Sequence, residues 1–319
     1  MPPPVTEAIE VASAWLPARM AEVEAVLGRS AGDHGSALAD DATATLTAGG
    51  KRLRPLLVLL CAGPGCGEAA VRAAASVELV HMATLVHDDV LDAAPLRRGR
   101  PTVAATSGRD AASAVGDLLF SRAFALLGSA RDERAVGLLA DASVSLARGE
   151  LMQRGDAFDL GLSEERYLRR CSLKTARLFE CACRIGRPGA GADAELRAFG
   201  SGIGLAFQLL DDVLDVSGPP EKTGKARGTD LLDGTVTLPL IRALRRDPAL
   251  GEVGLEGLTP EGAESICERI AAAGALGEVR VEALALVGRA KRAIAAGGLD
   301  AEQRRLLELV ADGVVERYA

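Results

Sequence analysis

The pentapeptide Asp-Asp-Val-Leu-Asp occurs twice in this chain, as residues 88–92 and as residues 211–215. Both copies lie in apolar sequence with helical periodicity, and residues four apart share one face of a helix. The first and last carboxylates of each copy therefore point the same way. Two such clusters facing each other would form a cage of hard oxygen ligands, which suits Mg²⁺. The repeat predicts a magnesium site, and carboxylate-bound Mg²⁺ commonly also binds substrate phosphates.

A solvated helix face is the alternative interpretation of either cluster taken alone, because one short motif of this kind is weak evidence. Carboxylates beside apolar sequence are costly unless positive charge compensates them. Since the motif is present twice, the pair favours the metal site over the solvated face.

Basic residues near predicted helix starts and after each Asp cluster could supply that positive charge. A helix start adds backbone N–H groups that favour anions. Each basic group alone could be a solvated surface charge, but together with two carboxylate clusters they predict phosphate binding. The candidates are Lys51, Arg54, Arg97, Arg98, Lys174 and Lys225.

Composition limits the class of protein. The 319 residues are 48% hydrophobic, enough for a sizeable core, and only 3% aromatic, which with abundant Ala and Leu favours helices over a large sheet. A net charge of −7 argues against non-specific nucleic-acid binding. The six cysteines lack zinc-site spacing, so buried thiols are expected. The N-terminus lacks a basic segment and apolar runs are short, so we expect a cytoplasmic protein without stable membrane insertion.

Helical periodicity dominates, with short Gly and Pro interruptions. We predict one all-α domain over residues 1–319 without strands, and helix starts at Thr259-Pro260 and at Asp300 with Gln303. The irregular stretch 219–235 should form a mobile loop. Predicted helices span about 5–28, 37–48, 54–62, 68–93, 110–128, 132–158, 164–186, 192–217, 237–246, 261–273, 275–296 and 301–318.

These segments, in this order and spacing, resemble the trans-isoprenyl diphosphate synthase (polyprenyl synthetase) family. The resemblance covers about residues 50–240, and the last eighty or so residues carry no signature. The matching stretches are GGKRLRP at 49–55, ELVHMATLVHDDVLD at 78–92, LRRGRPT at 96–102, GD at 116–117, KTARLF at 174–179, GLAFQLLDDVLD at 204–215, GKARGTDL at 224–231 and TLPL at 237–240.

The resemblance implies an isoprenoid-synthase-like helical fold around a deep central cavity. It also implies a Mg²⁺-dependent transferase, typically a homodimer, that condenses an allylic diphosphate with isopentenyl diphosphate and releases diphosphate. Carried over residue by residue, Asp88, Asp92, Asp211 and Asp215 would bind the metal, with Asp89 and Asp212 as further catalytic carboxylates. Lys174, Thr175, Gln208, Arg97 and Lys225 would hold the allylic diphosphate, Phe207 would lie against the allyl group, and Lys51, Arg54, His81 and Arg98 would hold isopentenyl diphosphate.

His81 lies seven residues before Asp88, two turns away on the same helix face. A core or capping role is the alternative to substrate binding. His87 lies off that face and has no predicted role.

Small side chains precede the first cluster, and they bear on product length. In short-chain members of the family a bulky ring commonly occupies the positions that are Ala83 and Thr84 here. From Thr84 down to Ser76 the helix descends about 12 Å, past Val80, so a tail longer than C20 is expected. Candidates for the floor are Leu119, Phe120 and Phe124 on the next long helix. The alternative is that the small residues merely permit helix packing.

Other activities stay open at this point. A farnesyl or geranylgeranyl diphosphate synthase is the alternative within the family. A class I terpene cyclase or a non-catalytic subunit of a heteromeric synthase is less consistent with two intact Asp clusters and GGKRLRP. One departure is Thr235, where many members of the family have Lys.

Overall fold

The computed structural model describes residues 2–32, 36–47, 49–97, 99–187, 191–218, 227–295 and 297–316. These residues are largely helical, which confirms the predicted all-α class. A π-helical turn at Ser172–Ala176 joins two helices, and a 3₁₀ turn spans Pro248–Glu252. The α-helices are α1 (Pro3–Val11), α2 (Leu16–Gly32), α3 (Ser36–Thr47), α4 (Leu53–Ala62), α5 (Glu68–Leu91), α6 (Val103–Ser107), α7 (Arg109–Ser129), α8 (Glu133–Gly155), α9 (Glu164–Cys171), α10 (Arg177–Ile185), α11 (Asp193–Ser217), α12 (Thr229–Leu232), α13 (Leu238–Arg246), α14 (Pro260–Ala272), α15 (Ala275–Ala295) and α16 (Ala301–Glu316).

Several details differ from the sequence prediction. The first predicted helix is two helices, α1 and α2. Two short strands, β1 (Leu96–Arg97) and β2 (Arg100–Pro101), pair as an antiparallel hairpin, although the sequence predicts no strand; Gly99, with φ 74°, lies between them. The second half of the predicted 219–235 loop contains α12, whereas residues 219–226 lie outside the described part of the chain.

Predicted helix starts agree well with the structure. The Thr259 hydroxyl accepts a hydrogen bond from the backbone of Gly262, and the Asp300 carboxylate accepts one from Gln303, as N-caps do. Each cap satisfies an N–H group that the helix itself leaves unpaired.

The two Asp clusters lie at the C-terminal ends of the long core helices α5 and α11. Helix α5 packs against α2, α4 and α7, while α11 packs against α10 and α15. Buried apolar side chains from α1 to α16 belong to one hydrophobic cluster. All six cysteines are buried and unbridged, as predicted. A single domain over 1–319 stays a prediction.

Among the described residues, α5 and α7 are long and apolar enough to cross a bilayer by length and composition. Core helices of soluble proteins meet the same criterion, and two thirds of the apolar window of α5 is buried inside the protein. The finding is therefore weak evidence for insertion.

The π-helical turn packs closely against α8 and α11, and each of these helices has a glycine at the contact. A Cβ atom at Gly149 of α8 would lie 2.5 Å from the backbone nitrogen of Lys174, and one at Gly204 of α11 would lie 2.8 Å from the Cα atom of Ala176. Neither distance allows a side chain without movement of the backbone. The turn can approach both helices because these positions are glycine.

Gly149→Ala should lower the free energy of unfolding by about 1–3 kcal/mol, because the added methyl group meets backbone atoms of the turn. Gly137→Ala on the exposed side of the same helix is the matched control. Its Cβ atom would meet nothing within 4 Å, so alanine should stabilise it by up to about 1 kcal/mol. Urea unfolding of both variants checks this, and equal effects would contradict the proposed close approach.

Candidate active site

The three carboxylates of the first Asp cluster, at the end of α5, differ in exposure: Asp89 is buried, Asp88 is partly buried and Asp92 is exposed. Burial raises the pKa of Asp88 to about 6, against the opposing effect of the Lys174 amine. Asp89 is buried and accepts a 2.7 Å hydrogen bond from Nε of Arg97 in the hairpin. Asp92, at the C-terminal cap of the helix, accepts a hydrogen bond from Arg154. The cost of placing these carboxylates close together is offset by Arg97 of the hairpin, Arg154 of α8 and Lys174 of the π-helical turn.

The π-helical turn carries Lys174 to this cluster. Its amine forms an ion pair with Glu150 of α8, and it acts electrostatically on Asp88. Burial disfavours the charge of Glu150, but Lys174 and Arg154 outweigh it and lower the pKa of that carboxyl. The amine therefore lies among carboxylates, beside the predicted metal ligands.

The next residue of the turn connects to the second cluster. The Thr175 hydroxyl donates to Oε1 of Gln208 at 2.7 Å, and Nε2 of Gln208 donates to Oδ1 of Asp212 at 2.7 Å. The Tyr167 hydroxyl donates to the other oxygen of Asp212. Burial raises the pKa of Asp212 to about 8 despite these donors. Because Lys174 and Thr175 are adjacent, one turn joins both clusters.

In the second cluster, the Asp211 side chain is exposed at the surface of α11, whereas Asp212 is buried. A side-chain oxygen of Asp215 accepts from the backbone nitrogen of Asp230 at 3.2 Å, and its carbonyl accepts from Gly228 at 3.0 Å. Asp230 also raises the pKa of Asp212, so a further carboxylate approaches this end of α11. The backbone nitrogen of Thr235 donates a 2.7 Å hydrogen bond to the carbonyl of Asp230, which closes the turn that follows α12.

Aromatic contacts bring the GGKRLRP segment to the same region. The Arg54 guanidinium lies 4.4 Å from the ring centre of Phe179 on α10, and that ring lies 5.5 Å from the ring of Phe207 on α11. A cation above an aromatic face is attracted to it. Lys51 lies exposed immediately before α4.

The predicted tail-pocket residues have different exposures. His81 and Thr84 are partly exposed on the face of α5 that leads to Asp88, and the Thr84 hydroxyl donates to the carbonyl of His81. Val80 and Ala83 are completely buried. Ser76 is also completely buried. The partly exposed face therefore reaches Thr84 and His81, but the deeper residues pack against neighbouring helices.

The floor candidates on α7 include one buried residue, Leu119, and two partly exposed rings, Phe120 and Phe124. Phe120 stacks on His87, with ring centres 6.0 Å apart. The role of the chain-length residues stays a prediction. Arg98 and Lys225 lie outside the described residues, and their predicted roles stay predictions as well.

Four residues beside the site have no role in the sequence prediction: Glu150, Arg154, Tyr167 and Asp230. Asp230 belongs to a matching stretch, GKARGTDL, so the sequence contains a signal for it. The other three become recognisable only when α8 and α9 are packed against the turn, since their spacing from the Asp clusters carries no pattern.

The type of donor at the two helix ends suits a hard divalent cation, although among the described residues no three acidic, histidine or cysteine side chains converge closely enough to hold one. Asp88, Asp92, Asp211 and Asp215 present carboxylate oxygens, which Mg²⁺ prefers over nitrogen or sulfur ligands. Cationic groups alternate with these carboxylates, and a phosphate bound between them would be neutralised from both sides. Fold and site together define a helical enzyme that acts on phosphate esters.

A family profile for polyprenyl synthetase matches residues 36–266. Heptaprenyl diphosphate synthase component 2 of Geobacillus stearothermophilus is 42% identical over 74% of this chain and 77% of that protein. Octaprenyl diphosphate synthase of Haemophilus influenzae is 42% identical over 63% of each chain, so less than two thirds of that relative is matched. A crystal structure of polyprenyl synthase from Caulobacter crescentus CB15, complexed with calcium and isoprenyl diphosphate, matches 99% of this chain and 98% of that chain at 35% identity and TM-score 0.90.

The chain belongs to the polyprenyl synthetase family. This confirms the resemblance found in the sequence and the prediction of a transferase, a polyprenyl diphosphate synthase. Polyprenyl synthases act on isoprenyl diphosphates and are generally divalent-metal enzymes. The assignment of individual site residues stays a prediction that the geometry above makes specific.

Asp212 should make stability depend on pH. Its folded pKa, about 8, lies above the ordinary value of 3.8, so the folded protein retains a proton that the unfolded chain loses. The stabilisation is complete below the ordinary value and is lost as pH rises toward the folded one.

In EDTA, the free energy of unfolding should therefore fall between about pH 6 and about pH 8. Asp88, with a pKa of about 6, has already lost most of its proton in this range, so the fall reports on Asp212. Asp212→Asn should flatten this fall. Urea unfolding at several pH values measures it, and parallel pH dependences in the wild type and the variant would contradict the raised pKa.

Proposed function

We propose that this chain condenses an allylic diphosphate with isopentenyl diphosphate, with Mg²⁺ bound, to make a trans-polyprenyl diphosphate longer than C20 and release diphosphate. One observation carries the proposal: the turn containing Lys174 and Thr175 connects the Asp cluster of α5 with the Asp cluster of α11. Cations and carboxylates are thereby gathered at one place suited to a diphosphate.

Mg²⁺ held by Asp88, Asp92, Asp211 and Asp215 would neutralise the charge that develops on the departing diphosphate. Lys174 and Arg97 add positive charge beside it, and Thr175 with Gln208 can orient its oxygens. The calcium in the similar Caulobacter structure supports a divalent cation, and magnesium is our choice on the basis of the donor set.

The reaction proceeds by loss of the leaving group and attack by the second substrate. The allylic C1–O bond breaks and its electron pair leaves with the diphosphate. The double bond of isopentenyl diphosphate then forms the new bond to C1, provided that the two substrates are held in near-contact. A proton is lost from the former isopentenyl unit, and the released diphosphate is the base. Lys51, Arg54 and His81 would hold the second substrate and Phe207 would lie against the allyl group, with Arg98, outside the described residues, predicted from the sequence to help.

Two kinds of observation support a product longer than C20. Similar proteins are named as heptaprenyl, octaprenyl and decaprenyl synthases. The partly exposed face of α5 carries Thr84 rather than a ring. A geranylgeranyl diphosphate synthase of Methanosarcina mazei is 33% identical, so a short-chain product is the alternative.

We propose that the enzyme acts as a homodimer in the cytoplasm. The Geobacillus relative is named as component 2 of its synthase, which favours, as a second candidate, a chain that works with a different partner protein. Activity of the purified chain alone separates these two arrangements.

Radiolabelled isopentenyl diphosphate, incubated with the purified chain, Mg²⁺ and dimethylallyl, geranyl or farnesyl diphosphate in turn, should give labelled products beyond C20. The reason is that both diphosphate sites and both Asp clusters lie on this one chain. Chromatography of the products reads their length. Products that stop at C15 or C20 would support the short-chain alternative. No incorporation with any primer would contradict a self-sufficient synthase.

Thr84→Phe should shorten the product, because a ring on the partly exposed face of α5 blocks the route of the growing tail. Thr84 is a better test of the tail pocket than Ala83. Ala83 is completely buried, so a ring there would overpack the core and lower the free energy of unfolding by about 1–3 kcal/mol. Thr84→Val, of nearly equal size, is the control and should leave length unchanged. A Thr84→Phe enzyme with the wild-type product distribution would contradict the pocket.

A further inference from the structure

A chain of ion pairs runs from the π-helical turn to the first Asp cluster. The Lys174 amine pairs with Oε2 of Glu150. The other oxygen of Glu150 accepts from Nε of Arg154 at 2.8 Å. Nη2 of Arg154 then donates to Oδ1 of Asp92. Positive and negative side chains alternate along this series of ion pairs. Arg154 of α8 links Asp92, a predicted metal ligand at the end of α5, to Glu150 of its own helix.

The hydrogen bond between Arg154 and Asp92 lies near the surface, where it can open. Its side chain is 40% exposed, and the Asp92 side chain is 31% exposed. An ion pair with that exposure contributes only modestly to stability, because water screens it. The second bond to Glu150, which is 16% exposed, holds the guanidinium nearby when the bond to Asp92 opens.

The contact occupies one oxygen of the Asp92 carboxylate, which is a predicted ligand of a metal ion at the first cluster. A divalent cation and a guanidinium are both attracted to the same oxygen, and each weakens the binding of the other. Other cations near the cluster have different partners: Arg97 donates to Asp89, and Lys174 pairs with Glu150. Among the described residues, Arg154 is the cation that forms an ion pair with Asp92.

We propose that Arg154 is a positioning residue that competes with the divalent cation for Asp92 and thereby sets the cation concentration at which the first cluster fills. The inference rests on the proposed metal site. When the cation binds Asp92, the guanidinium gives up that bond and keeps its bond to Glu150. The pair lowers the affinity of the cluster for the cation alone and orders Asp92 before binding.

The test is Mn²⁺ binding to the full chain without substrate, followed by the electron paramagnetic resonance signal of free Mn²⁺. Arg154→Leu should bind Mn²⁺ about 3- to 10-fold more tightly than wild type, because a screened competitor of modest strength has been removed. Arg154→Lys should stay closer to wild type, since it retains the charge. Arg148→Leu, on the exposed surface of the same helix, removes an equal charge away from the cluster and is the matched control.

The outcomes separate this inference from the proposed function. Unchanged or weaker Mn²⁺ binding in Arg154→Leu, or an equal gain in Arg148→Leu, overturns the role of Arg154 while the metal site stands. A purely structural role at the end of α8 would alter thermal stability but leave Mn²⁺ affinity unchanged. If the wild type binds no Mn²⁺, or if Asp92→Asn binds it as well as wild type, the proposed metal site itself fails.

Discussion

Carboxylates gathered on two core helices repel one another and lose hydration, so each of them needs a compensating partner. The π-helical turn at Ser172–Ala176 meets this need for both clusters at once. Lys174 acts on Asp88, and Thr175 reaches Asp212 through Gln208. Gly149 and Gly204 let two helices approach the turn closely enough for these contacts. The position of α8, α10 and α11 relative to α5 is thus tied to the electrostatics of the site.

The distribution of charge also explains how acidic groups of one motif differ in role. Within residues 211–215, Asp211 is exposed, Asp212 is buried with Tyr167 and Gln208, and Asp215 accepts a hydrogen bond from the backbone of α12. One carboxylate per helical turn can face a ligand, and its neighbour faces the protein. Asp212 accepts a hydrogen bond from Gln208 and thereby orients this side chain beside the predicted metal ligands.

Sequence patterns were sufficient for the long helices, since periodicity and N-caps such as Thr259 are local properties. The twin motifs also located the Asp clusters, because their type and spacing carry the chemistry. The π-helical turn could not be predicted, since it depends on packing against Gly149 and Gly204. The contacts of Arg154 with Asp92 and of Tyr167 with Asp212 join residues more than forty positions apart, and Glu150 meets Lys174 of the π-helical turn, so no sequence spacing predicts these three contacts. The full burial of Ala83 depends on tertiary packing too, so residue size alone does not predict it.

We expect both Asp clusters and Lys174 to enclose one diphosphate with its cations. Anomalous diffraction at the manganese edge, from crystals grown with Mn²⁺ and inorganic diphosphate, tests this most directly. Manganese is expected at Asp88 and Asp92 and also at Asp211, with one diphosphate between the clusters in contact with Lys174. Manganese at one cluster alone, or a diphosphate remote from Lys174, would contradict it.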